Sequence, residues 1–182
     1  MKLAFIIGHN QLKQGAISPD KQMTEYRYNL LLAKTVSINC HLLKIKNYIF
    51  EKNAKTNDEI AELINLLNPD CVVELHCNAF NSKILGSEVL YIDKNPENEI
   101  LSHIMQYEIC TIFERDGKHD RGYRKIKEND RGYNNIKNIN APCCIIEPFF
   151  IDNQFDYEKG MKLINELSLT IISACKSFSE HN

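Results

Sequence analysis

The 182-residue sequence lacks several features that would each assign a class at once. No apolar run approaches the roughly 18 residues of a membrane-spanning helix, so stable membrane insertion is not expected. Near the N-terminus the apolar stretch Leu3 to Ile7 is only five residues long. That is too short for the core of a secretory signal, and synthesis in the cytoplasm without a signal peptide is expected. The seven cysteines include no Cys-x-x-Cys pair, and their number is odd. Several interrupt apolar runs, where a thiol behaves as a small hydrophobe, so they read as reduced core residues and not as a disulfide framework or a thiolate metal site. No His-Glu-x-x-His helix motif is present. A formal net charge of −2 provides no global field to draw in nucleic acid. Low-complexity tails and linkers are also missing.

What remains is ordinary for one globular domain: 43% hydrophobic residues, 25% charged, and enough length to bury a core. The run Lys2 to Ile7 reads as a buried strand, followed by a turn at Gly8-His9-Asn10 and a loop over Leu12 to Asp20. Thr24 can cap a helix that starts at Glu25 and runs to about Ile38. Leu42 to Phe50 is a second strand candidate. Thr56 or Asn57 can cap a helix with Ile60, Leu63, Ile64 and Leu67 on one face, ended by Asn68-Pro69-Asp70. Cys71 to His76, Ser87 to Ile92 and Cys143 to Ile146 read as further strands. Pro96 to Arg115 and Tyr157 to Phe178 read as helices. This alternation predicts an α/β fold: a single domain over 1–182 with a central, mostly parallel or mixed twisted sheet of about six strands flanked by helices. The tetrapeptide Asp120-Arg121-Gly122-Tyr123 recurs as Asp130-Arg131-Gly132-Tyr133. It reads either as two turns of a short hairpin or as a basic rim that positions substrate carboxylates.

Sites in such folds gather beyond the carboxyl ends of strands. Three capable groups stand there: His9, His76 and Glu147. Each alone has an ordinary structural explanation, and Glu25 could be a first-turn acid favoured by the helix dipole. Glu147 closes an otherwise apolar strand, where an unpaired carboxylate is costly. Together the four supply what a catalytic zinc site requires: nitrogen and oxygen ligands plus a further base. Glu74 lies two residues before His76 and points the same way in an extended strand. It is therefore a rival base, or an acceptor that orients an imidazole.

Four blocks in order carry a family resemblance. They are Ile6-Ile7-Gly8-His9 with Gly15 and Glu25-Tyr26-Arg27-Tyr28-Asn29; Cys71 to Ala79, ending His76-Cys77-Asn78-Ala79; Gly86 to Tyr91; and Arg121-Gly122 with Ala141 to Phe150 and Asn153. From residue 3 to about residue 160 the chain resembles zinc-dependent N-acetylmuramoyl-L-alanine amidases, most of all the catalytic domains of phage lysins. It departs from their common pattern where Asn10 follows His9 and where Glu74 stands in place of a hydroxyl residue.

The resemblance implies one Zn2+ held by His9, Glu25 and His76, with Glu147 as the catalytic base. Asn78 and Arg121 are lesser candidates, for strand-end support and substrate contact. It also implies a peptidoglycan substrate, cut between N-acetylmuramic acid and L-alanine. A monomeric lysin without a wall-binding domain is expected, reaching the cell wall or periplasm only after release from the cytoplasm. Two rival readings are a zinc peptidase or carboxypeptidase acting on stem peptides, and a non-catalytic wall-binding module.

Overall fold

The computed structural model describes residues 1–180. Its strands are β1 (Lys2–Ile7), β2 (Lys46–Phe50), β3 (Cys71–Leu75), β4 (Ser87–Tyr91), β5 (Asp120–Lys125) and β6 (Cys143–Glu147). The helices are α1 (Glu25–Leu42), α2 (Asn57–Leu67), α3 (Pro96–Ile112), α4 (Tyr133–Ile136), α5 (Gln154–Lys162) and α6 (Ile164–Glu180). The six strands form one sheet in the order β2-β1-β3-β6-β4-β5. Neighbours run parallel except β4 and β6, which are antiparallel. The expected single-domain α/β architecture with a mixed sheet is the one observed.

Period-2 alternation divides the core. Leu3, Phe5, Ile7 and Val73 face α1, α3 and α6, while Ala4, Ile6, Val72 and Ile145 face α2 and the α4 region. The central strands are apolar throughout because both faces are covered. Side chains close the helix starts. Thr24 accepts from the Arg27 amide at 3.3 Å, and Thr56 and Glu59 form a reciprocal capping box. All seven cysteines are buried free thiols, and burial alone pushes Cys40 up to about 11.

Several boundaries differ from expectation. Helix α1 continues past Ile38 to Leu42, and the chain turns at Lys44 (φ 58°), so β2 begins at Lys46 and not at Leu42. The single C-terminal helix is two, α5 and α6, divided at Leu163. Asp120–Lys125 is an edge strand that the charged, largely exposed sequence conceals. The hairpin reading of the repeat fails. Its first copy lies in β5, parallel to β4, and its second forms the turn into α4.

Candidate functional site

Three chain segments converge at one end of the sheet. His9 lies two residues past β1 in left-handed backbone (φ 65°), a conformation uncommon for a residue with a side chain. Glu25 is the first residue of α1, and His76 immediately follows β3. The Gly8 amide donates to the Leu75 carbonyl at 2.9 Å, tying the two strand ends together. Glu25 Oε2 lies 2.9 Å from His9 Nε2, and Oε1 lies 2.8 Å from His76 Nδ1. One donor atom from each residue falls within 4.8 Å of the others. Backbone amides fix the central carboxylate: Cys77 donates to Oε1 at 3.1 Å and Ala16 to Oε2 at 3.3 Å.

Glycine leaves room for this convergence at two points. A Cβ on Gly8 would lie 2.4 Å from the Leu75 carbonyl oxygen and 2.6 Å from the His76 ring. At Gly15, where φ is +74°, a Cβ would lie 2.5 Å from Glu25 Oε2 and 2.7 Å from the His9 ring. Both glycines are therefore required by close approach to the side chains of the cluster.

Behind His76 stands Glu74, fully buried. Its Oε1 meets His76 Nε2 at 3.0 Å and accepts from Asn135 Nδ2 at 3.0 Å and Lys52 Nζ at 2.5 Å. With Nε2–H donated to Glu74, Nδ1 of His76 faces Glu25 Oε1 at hydrogen-bond distance. A bare lone pair facing a carboxylate oxygen is repulsive, so a proton or a metal cation belongs between them. Burial disfavours charge on His76, yet the hydrogen bonds and charges of Glu25 and Glu74 raise its pKa to about 10. Burial likewise opposes ionisation of Glu25, but His76 and His9 hold it well below the usual carboxylate range. Against the same opposition from burial, Lys52 and His76 bring Glu74 down to about 2. Two imidazole nitrogens and a carboxylate, with a second carboxylate behind one imidazole, fit the donor set and supporting contacts of a zinc centre.

The cluster opens into a cleft of about 290 Å³ whose lining includes His9, His76, Lys52, Arg131, Asn135 and Glu147. Glu147 ends β6 and is 2% exposed. Its Oε1 accepts from Arg131 Nη2, while its Oε2 has no hydrogen-bond partner among the described residues. Of the other expected site residues, Asn78 is buried and serves the backbone: its amide donates to Phe149 at 2.9 Å and its carbonyl accepts from Ile151 at 2.9 Å. Arg121 lies in an adjoining groove with Glu147, its guanidinium 5.3 Å above the Phe150 ring. Sequence reasoning missed Lys52, Arg131 and Asn135. Only the repeated tetrapeptide drew attention to the segment of Arg131.

Residues 4–169 match the family model for N-acetylmuramoyl-L-alanine amidase. Among curated protein sequences none matches the chain. Among solved structures, the catalytic domain of the CD27L endolysin targeting Clostridia difficile is 25% identical, with a TM-score of 0.79 and 97% of each chain covered. The catalytic domain of CwlV, an amidase from Bacillus (Paenibacillus) polymyxa, is 16% identical at a TM-score of 0.84, with 98% of each chain covered. Ami1 from Mycobacterium smegmatis is 16% identical at 0.83, covering 100% of this chain and 98% of its own.

Proposed function

This chain belongs to the N-acetylmuramoyl-L-alanine amidase family and is a peptidoglycan amidase, and we propose that it works through one zinc ion held by His9 Nε2, the Glu25 carboxylate and His76 Nδ1. The observation that carries this reading is the His9–Glu25–His76 cluster opening into the same cleft as Glu147. When bound, the ion would polarise the scissile carbonyl and bring the pKa of a water near 7, roughly.

The chain's own groups supply the rest. Glu74 accepts the Nε2 proton of His76 and fixes the ring's tautomer and angle. Glu147 takes the proton of the attacking water on Oε2 and returns it to the amide nitrogen as that group leaves. Arg131 holds Oε1, so Oε2, which has no partner among the described residues, is the oxygen left to take the proton. Glu74 is the weaker choice of base, because it stands behind His76 and is not among the residues that line the cleft, whereas Glu147 is.

Digestion of purified sacculi tests the reading. The expected products are new L-alanine amino termini and intact glycan strands, formed with zinc and suppressed by a chelator. New termini inside the stem peptide would favour the peptidase reading, and metal-independent turnover would remove the zinc.

A lysin role belongs to the same proposal. It is supported by similarity to the CD27L endolysin domain across 97% of both chains. Among the described residues no helix is long and apolar enough to cross a membrane. Induction in host cells is expected to lyse them only when a membrane-permeabilising protein is co-expressed; lysis without one would contradict release by that route.

A further inference from the structure

Three carboxylates follow one another across neighbouring strands on a single face of the sheet. Glu74 on β3 shares its face with Ile145 on β6, two residues before Glu147, and Glu88 on β4 stands directly opposite Glu147. Each has its own cation: Lys52 for Glu74, Arg131 for Glu147, and Arg124 for Glu88 at 3.6 Å. Arg121 is a fourth cation, which adds its field to that of Arg124 at Glu88 but forms no close ion pair among the described residues. It lines a groove with Asn78, Glu88, Arg124, Arg131 and Glu147.

The backbone aims Arg121 there. Strand β5 pairs with β4 at Ser87–Asp120 and again at Val89–Tyr123, so Arg121 and Gly122 together oppose Glu88. Such a bulge interrupts the pleat and re-aims a side chain. Gly122 takes the positive φ of 77° that the extra residue requires. Unbroken alternation would place Arg121 on the side of Tyr123, which packs near Tyr91 and His103. The bulge instead brings Arg121 and Arg124 to the face of Glu88 and Glu147, leaving one positive charge over on the rim of the groove.

Resting on the amidase reading, we propose that Arg121 and Arg124 form a subsite for a free carboxylate of the stem peptide. Glu147 returns a proton to the leaving nitrogen, so the departing peptide lies on the β6 side of the cleft. Strand β5 is two neighbours further along that side, about 10 Å at the usual strand spacing. An extended peptide covers that distance in about three residues. The carboxylate recognised is therefore on the second or third residue of the stem. Paired guanidinium groups suit a planar carboxylate and lose charge-assisted bonds to a carboxamide.

The test uses zinc-loaded full-length protein and three soluble muramoyl-tripeptides. One carries free acids at residues two and three, one is amidated at residue two, and one is amidated at the residue-three side chain. The expected result is a roughly tenfold to hundredfold lower kcat/KM for one amidated substrate, mostly through KM. In the Arg121→Gln, Arg124→Gln double variant the ratio between substrates falls toward one, and in the corresponding Lys variants it is partly kept. Equal cleavage of all three by the unaltered protein, or an undiminished ratio in the double variant, would overturn the subsite and leave the amidase reading standing. Cleavage of none would overturn both. Because the comparison is made first by changing the substrate, misfolding of a variant cannot mimic the result.

Discussion

At the scale of single residues the site separates two glutamates of similar burial by what they touch. Each leaves its Oε2 without a partner among the described residues, but every bond to Glu74 converges on Oε1 from His76, Lys52 and Asn135, behind the imidazole, while Glu147 gives Oε1 to Arg131 and lines the cleft. Glu147→Gln is therefore expected to lower kcat by about 10²–10⁴ with zinc content retained, the usual range for losing a general base. Glu74→Gln is expected to act mainly on metal affinity, about 10–100-fold. Steady-state kinetics with metal analysis separates them; the opposite pattern would exchange their roles. The titration of the cluster also has a sign. In metal-free protein His76 is raised to about 10, so its charged form stabilises the fold fully below its ordinary value of 6.5, and this is lost as pH rises through about 10. Glu74 is lowered to about 2, so its contribution is present above 4.5 and lost as pH falls through about 2. Chelated protein should melt highest between about pH 4.5 and 6.5, and the alkaline decline should become shallower in His76→Asn. A melting temperature that climbs from pH 6.5 to 10 would contradict the assigned contacts.

Secondary-structure elements explain how such side chains are delivered. The first turn of α1 carries Glu25 to the ends of β1 and β3, and Gly15 lets the preceding loop pass against that carboxylate. Gly15→Ala combines a positive φ with a Cβ 2.5 Å from Glu25 Oε2, so zinc affinity should fall by about tenfold or more, the scale of a 1–2 kcal/mol backbone penalty. Metal titration measures this, and unchanged affinity would show that the loop yields freely. Thr56→Ala, by contrast, removes only the capping box of α2 and should cost about 1 kcal/mol in denaturant unfolding with activity unaffected. Strands β1, β3 and β6 were legible in the sequence because sheets buried on both faces produce continuous apolar runs. Strand β5 was not, because Asp120-Arg121-Gly122-Tyr123-Arg124-Lys125 lies on the exposed edge and has no apolar period to read. The C-terminal helix pair was read as one because apolar spacing persists across the break at Leu163.

For the whole molecule, topology decides which distant segments meet. Parallel pairing of β1, β3 and β6 brings three strand ends to one edge, and reversal of β4 brings its N-terminal Glu88 to the same edge. The sequence therefore revealed His9, His76 and Glu147, each marked by a polar residue closing an apolar run. It could not reveal Lys52, Arg131 or Asn135, whose approach depends on how the connections following β2 and β5 fold back over the cleft. The order β3-β6-β4-β5 then extends the reacting centre sideways into the arginine-lined groove. One zinc ion on His9, Glu25 and His76 is tested most directly by elemental analysis of purified protein beside His76→Ala. One zinc per chain in the unaltered protein and close to none in the variant is the predicted result. Equal metal in both, or none in either after zinc loading, would contradict it.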